Sequence, residues 1–266
     1  MKIAITGKGG VGKTTLSAVL CHLFASEGKT VIAVDADPDA NLAAAFGLSK
    51  EQTKDLRPIA EMGQLIEERT GAKPGSMGGV FKLNPRVDDI PEVCSIKVNG
   101  IRLLVMGKSK DASSGCYCPE NVFLKRLLKH LVTEREDVVI VDMEAGIEHL
   151  TRGTAEGVDA FIVVVEPGKR SIQTALLVRD MAKTLGVVNV FVVASKVRDS
   201  GDVQFIKGLL EGMNYVGAVS FSKNIIDADI KGTPPYENAP DAISDIKLIK
   251  EAIESTIKNT NDSRDR

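Results

Sequence analysis

The densest concentration of chemistry in the sequence is Gly7-Lys8-Gly9-Gly10-Val11-Gly12-Lys13-Thr14-Thr15. It satisfies G-x-x-x-x-G-K-[ST], in which glycines let backbone N–H groups converge on phosphate oxygens without Cβ clashes. The following helix would add the positive end of its dipole. In such a loop Lys13 reaches the β- and γ-phosphates and the Thr14 hydroxyl ligates Mg²⁺, so Gly7 through Thr15 form the expected nucleotide cradle. Carboxylates occur after two apolar runs. One run ends Val34-Asp35-Ala36-Asp37-Pro38-Asp39, and the other is Val138-Val139-Ile140-Val141-Asp142. Strand ends beside a phosphate loop are where ligands bind in open α/β sheets. Asp142 therefore reads as a magnesium-shell ligand and Met143–Gly146 as a segment able to re-form around a γ-phosphate. Asp39 reads as the N-cap of the next helix.

A third group is Cys116-Tyr117-Cys118, followed by Pro119-Glu120 and the apolar-periodic stretch Val122–Leu131. Proline and glutamate there signal a helix start, which puts Cys118 near the cap, where the dipole favours thiolate. In extended backbone residues i and i+2 face the same way, so both sulfurs can address one ion. Two thiolates half-fill a four-coordinate soft-metal site, and a two-fold dimer would complete an S₄ set suited to Ni²⁺ or Zn²⁺. A redox dithiol and two unreactive thiols fit the same spacing. Cys21 and Cys94 lie in apolar runs and read as buried small hydrophobes. His22, His130 and His149 are assigned to no metal.

The nucleotide base should lie near Val193-Ala194-Ser195-Lys196-Val197-Arg198. A guanine site uses N-K-x-D. With Arg198 in the fourth position, the segment favours ATP over GTP, with Ser195 and Lys196 as its nucleotide contacts.

Positioning these groups requires strands alternating with helices. Val- and Ile-rich runs predict strands at Lys2–Thr6, Thr30–Asp35, Ile101–Met106, Val138–Asp142, Ala160–Glu166, Val188–Ala194 and Val216–Phe221. Helices are predicted at Thr14–Ser26, Glu120–Thr133, Ser171–Leu185, Val203–Glu211 and Ala242–Ile257, the last with Ile246, Ile249, Ile253 and Ile257 as a buried stripe. The implied fold is α/β: a single doubly wound, mostly parallel sheet with helices on both faces, spanning residues 1–258. Residues 48–99 read as an irregular insertion or surface loops, apart from a helix candidate at Thr53–Arg69. Residues 259–266 read as a polar, frayed tail.

The composition limits the functions available. The chain has 266 residues, 43% of them hydrophobic, and its 34 basic against 36 acidic residues give a net charge of −2. No global basic excess exists to hold nucleic acid or an anionic membrane. No apolar run approaches the roughly 20 residues that span a bilayer. Four cysteines are too few for a disulfide scaffold. With a glycine loop following the first strand directly, the N-terminus is unlike a signal peptide, and a cytoplasmic location is expected.

Lys8, directly after the first glycine, gives the loop the deviant Walker A pattern. It resembles that of the dimeric ATPases that include nitrogenase iron protein, arsenite-pump ATPases and the Min and Par positioning proteins. The resemblance implies that Lys8 crosses to the partner's nucleotide and helps catalysis, together with Lys13. It also implies that Asp37 orients the attacking water and that Asp35 contacts the magnesium shell. Ser195 stands where the family usually has Asn, and Ser220-Phe221-Ser222 lacks the family's proline. Two segments, Gly115–Asn121 and Asp142–Thr154, closely resemble the nickel-insertion accessory ATPases of carbon monoxide dehydrogenase, the CooC type. That likeness covers nearly the whole chain. It implies a homodimer that binds Ni²⁺ as cargo (or Zn²⁺) at Cys116 and Cys118. It further implies an ATP switch and a nickel client such as carbon monoxide dehydrogenase or acetyl-CoA synthase. An electron-transfer ATPase with a shared iron–sulfur cluster is an alternative, but Met143–Ile147 has no cysteine. A Min/Par-type positioning ATPase is another, but Thr256–Arg266 is polar rather than amphipathic.

Overall fold

The computed structural model describes residues 1–75, 80–107, 118–144, 152–155 and 157–264. Its strands are β1 (Lys2–Thr6), β2 (Val31–Ala36), β3 (Ile96–Val98), β4 (Ile101–Val105), β5 (Val138–Met143), β6 (Ala160–Val165), β7 (Val190–Val197) and β8 (Asn214–Ser220). They form one sheet in the order β3-β4-β2-β5-β1-β6-β7-β8. Every neighbouring pair is parallel except the β3–β4 hairpin at one edge. Each strand predicted from its apolar run is present within a few residues of its expected bounds.

The central strands are buried on both faces, and their side chains alternate between two cores, as the two-residue strand period requires. Ala4, Ile32 and Val34 pack into one core, and Ile3, Ile5, Val31 and Ala33 into the other. The helices supply the opposing layers. They are α1 (Lys13–Ser26), α2 (Leu42–Ala45), α3 (Gly63–Thr70), α4 (Ile90–Val93), α5 (Pro119–Thr133), α6 (Arg152–Ala155), α7 (Lys169–Thr184), α8 (Ser200–Leu209), α9 (Lys223–Lys231), α10 (Pro235–Asn238) and α11 (Pro240–Arg264). Phe123, Leu127 and Leu131 of α5 join Ile172 and Val178 of α7 in the first core. Leu16, Leu20 and Phe24 of α1 meet the Ile246-Ile249-Ile253-Ile257 stripe of α11 in the second.

Three expectations need correction. Residues 48–99 are not surface loops throughout: Ile59, Ile66, Val87 and Ile90 are fully or almost fully buried in the first core. The Thr53–Arg69 helix shrinks to a 3-10 turn at Ile59–Glu61 and the short helix α3, because Pro58 interrupts the periodic run. The helix expected to end at Ile257 is longer, since α11 continues to Arg264, into the polar stretch read as a frayed tail. The short β3 was not anticipated. Asn99 and Gly100, at φ 48° and 81°, form its turn into β4, and both angles are of the sign that tight hairpin turns need.

Candidate functional site: the nucleotide cradle and its carboxylates

The phosphate loop leaves β1 between β5 and β6, at the carboxyl end of the sheet. Its glycines are there because of backbone geometry. Gly7 has φ 149°, and a Cβ on it would come within 2.4 Å of the Val164 carbonyl oxygen of β6. Gly12 has φ 99° and stands directly before α1, where a Cβ would meet the Ser195 hydroxyl at 3.1 Å. The loop therefore lies close against two neighbouring strand ends, bordering the space in front of α1.

That space is a cavity of about 440 Å³ whose walls include Gly9, Gly10, Gly12, Lys13, Thr14 and Thr15. Asp37 and Asp39 face it from the β2 end, and Lys196 from the β7 end. A second, apolar slot of about 180 Å³ adjoins it through Gly12, Thr15, Lys196, Ile225 and Ile226. Val164, Val193, Phe221 and Ile246 help to form this slot, with Ser195 and Ser222 as polar groups. A chamber lined by the phosphate loop and charged side chains, joined to a mainly apolar slot, matches the two ends of a nucleotide, triphosphate and base. Arg198, in place of the guanine-reading carboxylate, is tied to Asp202 in α8 at 2.8 and 2.9 Å.

The charged groups are arranged in pairs. Lys13 is buried, 4.0 Å from an Asp37 oxygen and 3.4 Å from the Lys8 carbonyl oxygen. Lys8 sits 3.6 Å from one oxygen of Glu166, and Lys196 sits 3.6 Å from the other. Lys196 adopts a left-handed backbone, φ 56°, and its ammonium donates to the Gly10 carbonyl at 2.5 Å. Glu166 is a component that pattern reading had not singled out. Its only sequence signal was its place at the end of an apolar strand.

Asp35 and Asp142 are register partners across β2 and β5. Asp35 is fully buried, and its carboxylate accepts from Leu42 N–H at 2.8 Å and Asp37 N–H at 3.3 Å. It thereby does for α2 what Asp39 was expected to do. The residue at the N-cap position of α2 is Asn41, and Asp39 instead donates its own N–H to Asp37 at 3.0 Å. Burial raises the Asp35 pKa to about 7; the two N–H donors oppose that rise and the Asp142 charge adds to it. Burial likewise raises Asp142 to about 6, opposed by the Thr14 hydroxyl and the Lys13 charge. The Thr14 and Ser17 hydroxyls favour the Asp142 anion but are not in hydrogen-bond geometry with it, so neither buried carboxylate oxygen has a partner among the described residues. A carboxylate desolvated in this way beside a threonine hydroxyl and a phosphate cradle fits a hard divalent cation such as Mg²⁺, which would supply the missing ligand interaction.

Residues 2–236 match the CobQ/CobB/MinD/ParA nucleotide binding domain. The chain belongs to this family. This CobQ/CobB/MinD/ParA-family protein is an ATPase, and its sheet order, phosphate loop and paired carboxylates are those of a P-loop enzyme. It is 46% identical over 240 residues to the carbon monoxide dehydrogenase accessory protein CooC of Rhodospirillum rubrum, covering 90% of this chain and 91% of that one. It is 45% identical over 237 residues to an ATP-binding protein of Methanocaldococcus jannaschii, covering 88% and 90%. Its fold superposes on a ParA family ATPase from Chlorobium tepidum with a TM-score of 0.69 at 15% identity, covering 95% and 97%.

The thiol pair is only partly visible. Cys116 lies outside the described residues, as does the segment after Glu144 read as a nucleotide switch. Cys118 is buried, in extended backbone (φ −103°, ψ 153°) at the N-cap of α5, as the Pro119-Glu120 signal implied. The chain reaches that cap from β4, whose continuation is tied to the nucleotide site: Met106 N–H donates to the Asp35 carbonyl at 2.8 Å. Cys21 is buried in α1 and Cys94 partly buried, in keeping with hydrophobic roles. Among the described residues no helix is long and apolar enough to cross a membrane.

Proposed function

We propose that this ATPase is a nickel metallochaperone. Two copies dimerise, hold Ni²⁺ between their paired Cys116 and Cys118 thiolates, and insert it into carbon monoxide dehydrogenase or acetyl-CoA synthase, with ATP hydrolysis as the switch. Zn²⁺ suits the same four-sulfur set. The observation that carries this reading is the Met106–Asp35 hydrogen bond. It joins the strand end entering the cysteine segment to the strand end that carries the nucleotide-facing carboxylates. The Asp35 strand end and the start of the segment that leads in sequence to the thiols are thus joined side by side. The 46% identity to a carbon monoxide dehydrogenase accessory protein supports the choice of client.

The residues divide the work by position. Gly7, Gly9, Gly10, Val11, Gly12 and Thr15 supply the loop that receives the phosphates. Lys13 exchanges Asp37 for the β- and γ-phosphates. Asp37, freed from that ion pair, accepts a hydrogen bond from the attacking water and orients it in line with the γ-phosphorus. Thr14, Asp142 and Asp35 would hold Mg²⁺ or its water shell, and the ion, when bound, would supply positive charge to the phosphate oxygens. Lys8 extends to the nucleotide of the partner and stabilises charge in the transition state, as an arginine finger supplied in trans would. Ser195 and Lys196 border the base and the phosphates.

A cytoplasmic ATPase domain formed by residues 1–258 meets this description without a membrane or nucleic-acid partner. The test is activation of nickel-free carbon monoxide dehydrogenase by the Ni²⁺-loaded protein. Activation should need hydrolysable ATP and both cysteines, and equal activation by free Ni²⁺ or by the Cys116→Ala/Cys118→Ala protein would overturn the proposal.

A further inference from the structure

The ends of three adjacent strands, β1, β6 and β7, bring Lys8, Glu166 and Lys196 together. Glu166 has its backbone anchored independently of either lysine. It follows the last residue of β6, and its N–H donates to the buried Ser171 hydroxyl at 3.1 Å, at the start of α7. Lys8 is different: it is carried on a glycine-flanked loop, and its side chain is 38% exposed. Glu166 is therefore the stationary member and Lys8 the movable one. Lys196 has a second anchor, the Gly10 carbonyl, so it can stay in place when its carboxylate contact changes.

Within one chain the Lys8 ammonium is held against Glu166, and reaching phosphates in a second protomer requires it to swing away from its own strand end. We propose that Glu166 is a positioning residue that holds Lys8 on its own chain, so that dimer assembly must break two such pairs, one in each protomer. This rests on the trans role for Lys8 stated above. The arrangement opposes premature pairing of protomers and leaves the nucleotide chamber open in the monomer. It also brings Lys8 to the partner only when phosphate charge there can replace the carboxylate it leaves. Lys196, paired with the other oxygen, keeps Glu166 from being an isolated anion beside the phosphates once Lys8 has gone.

The experiment is sedimentation equilibrium at saturating magnesium and non-hydrolysable ATP analogue, so that differences in nucleotide affinity drop out. The dimer dissociation constant is compared for wild type and Glu166→Gln at low and high ionic strength. Gln keeps the size and the backbone contact but removes the charge. Glu166→Gln should dimerise about tenfold more tightly at low salt, the order expected for two partly exposed ion pairs released per dimer. The gap should close at high salt, because exposed pairs are screened. An unchanged or weaker constant, or a change that ignores salt, would overturn the Glu166 proposal while leaving the dimer reading intact. A wild type that stays monomeric throughout would overturn both.

Discussion

Lys13 Nζ lies 4.0 Å from the Asp37 carboxylate across the mouth of the phosphate loop, with the lysine buried and the aspartate half-buried. The buried ammonium is thus charge-balanced by Asp37, the residue proposed to orient the attacking water. Lys13→Ala should weaken ATP binding about 10- to 100-fold, the worth of one charge-assisted phosphate contact. Asp37→Asn should leave binding intact or tighter while reducing turnover about 100-fold or more. Titration calorimetry and a phosphate-release assay separate the two effects.

Asp35 and Asp142 predict a pH dependence. Both pKa values are raised above the usual carboxylate value, to about 7 and about 6. For an acid raised on folding, the native state holds the proton more tightly. The destabilisation is therefore absent below about pH 4, and it develops as pH rises through the interval between the unfolded and folded values. Nucleotide-free protein should lose stability between about pH 4 and 7 through these groups, and Asp142→Asn should flatten that loss. Magnesium nucleotide should raise the melting temperature more at pH 8 than at pH 5.5. Scanning calorimetry across pH checks all three.

Gly7→Ala should destabilise the fold and not merely slow the enzyme. The added Cβ would lie 2.4 Å from the Val164 carbonyl in a backbone conformation foreign to alanine. A cost of about 3 kcal/mol or more in denaturant unfolding is expected. Gly9→Ala, where a Cβ meets nothing within 4 Å, should be tolerated in the same assay.

Lys8→Ala should preserve nucleotide binding to the monomer and reduce hydrolysis about 1,000-fold, the scale of a charge supplied in trans. Turnover measured against protein concentration checks this, because a residue acting within its own chain would give a rate per protomer independent of concentration.

Most of the sheet was legible because strands buried on both faces leave uninterrupted apolar runs such as Val138–Val141 and Phe161–Val165. The phosphate loop was legible because Gly7, Gly10 and Gly12 are demanded by their positive φ angles. The buried part of residues 48–99 was not, since Ile59, Ile66, Val87 and Ile90 are isolated anchors without a period. Glu166 was hidden because its partners, Lys8 and Lys196, are joined to it only through the strand order. Asp35 illustrates the same limit. Its residue type and place announced a site carboxylate, but its bonds to Leu42 and Asp37, which fix where α2 begins, exist only in three dimensions. Of the thiol pair, sequence specified the helix cap at Cys118, whereas Cys116 lies outside the described residues.

The most direct test of the nickel reading is metal stoichiometry by equilibrium dialysis, with oligomeric state measured on the same samples. One Ni²⁺ per two chains is predicted, bound to a dimer and lost in the Cys116→Ala/Cys118→Ala protein while ATP binding persists. One Ni²⁺ per chain on a monomer, or stoichiometric Ni²⁺ retained without the two cysteines, would contradict it.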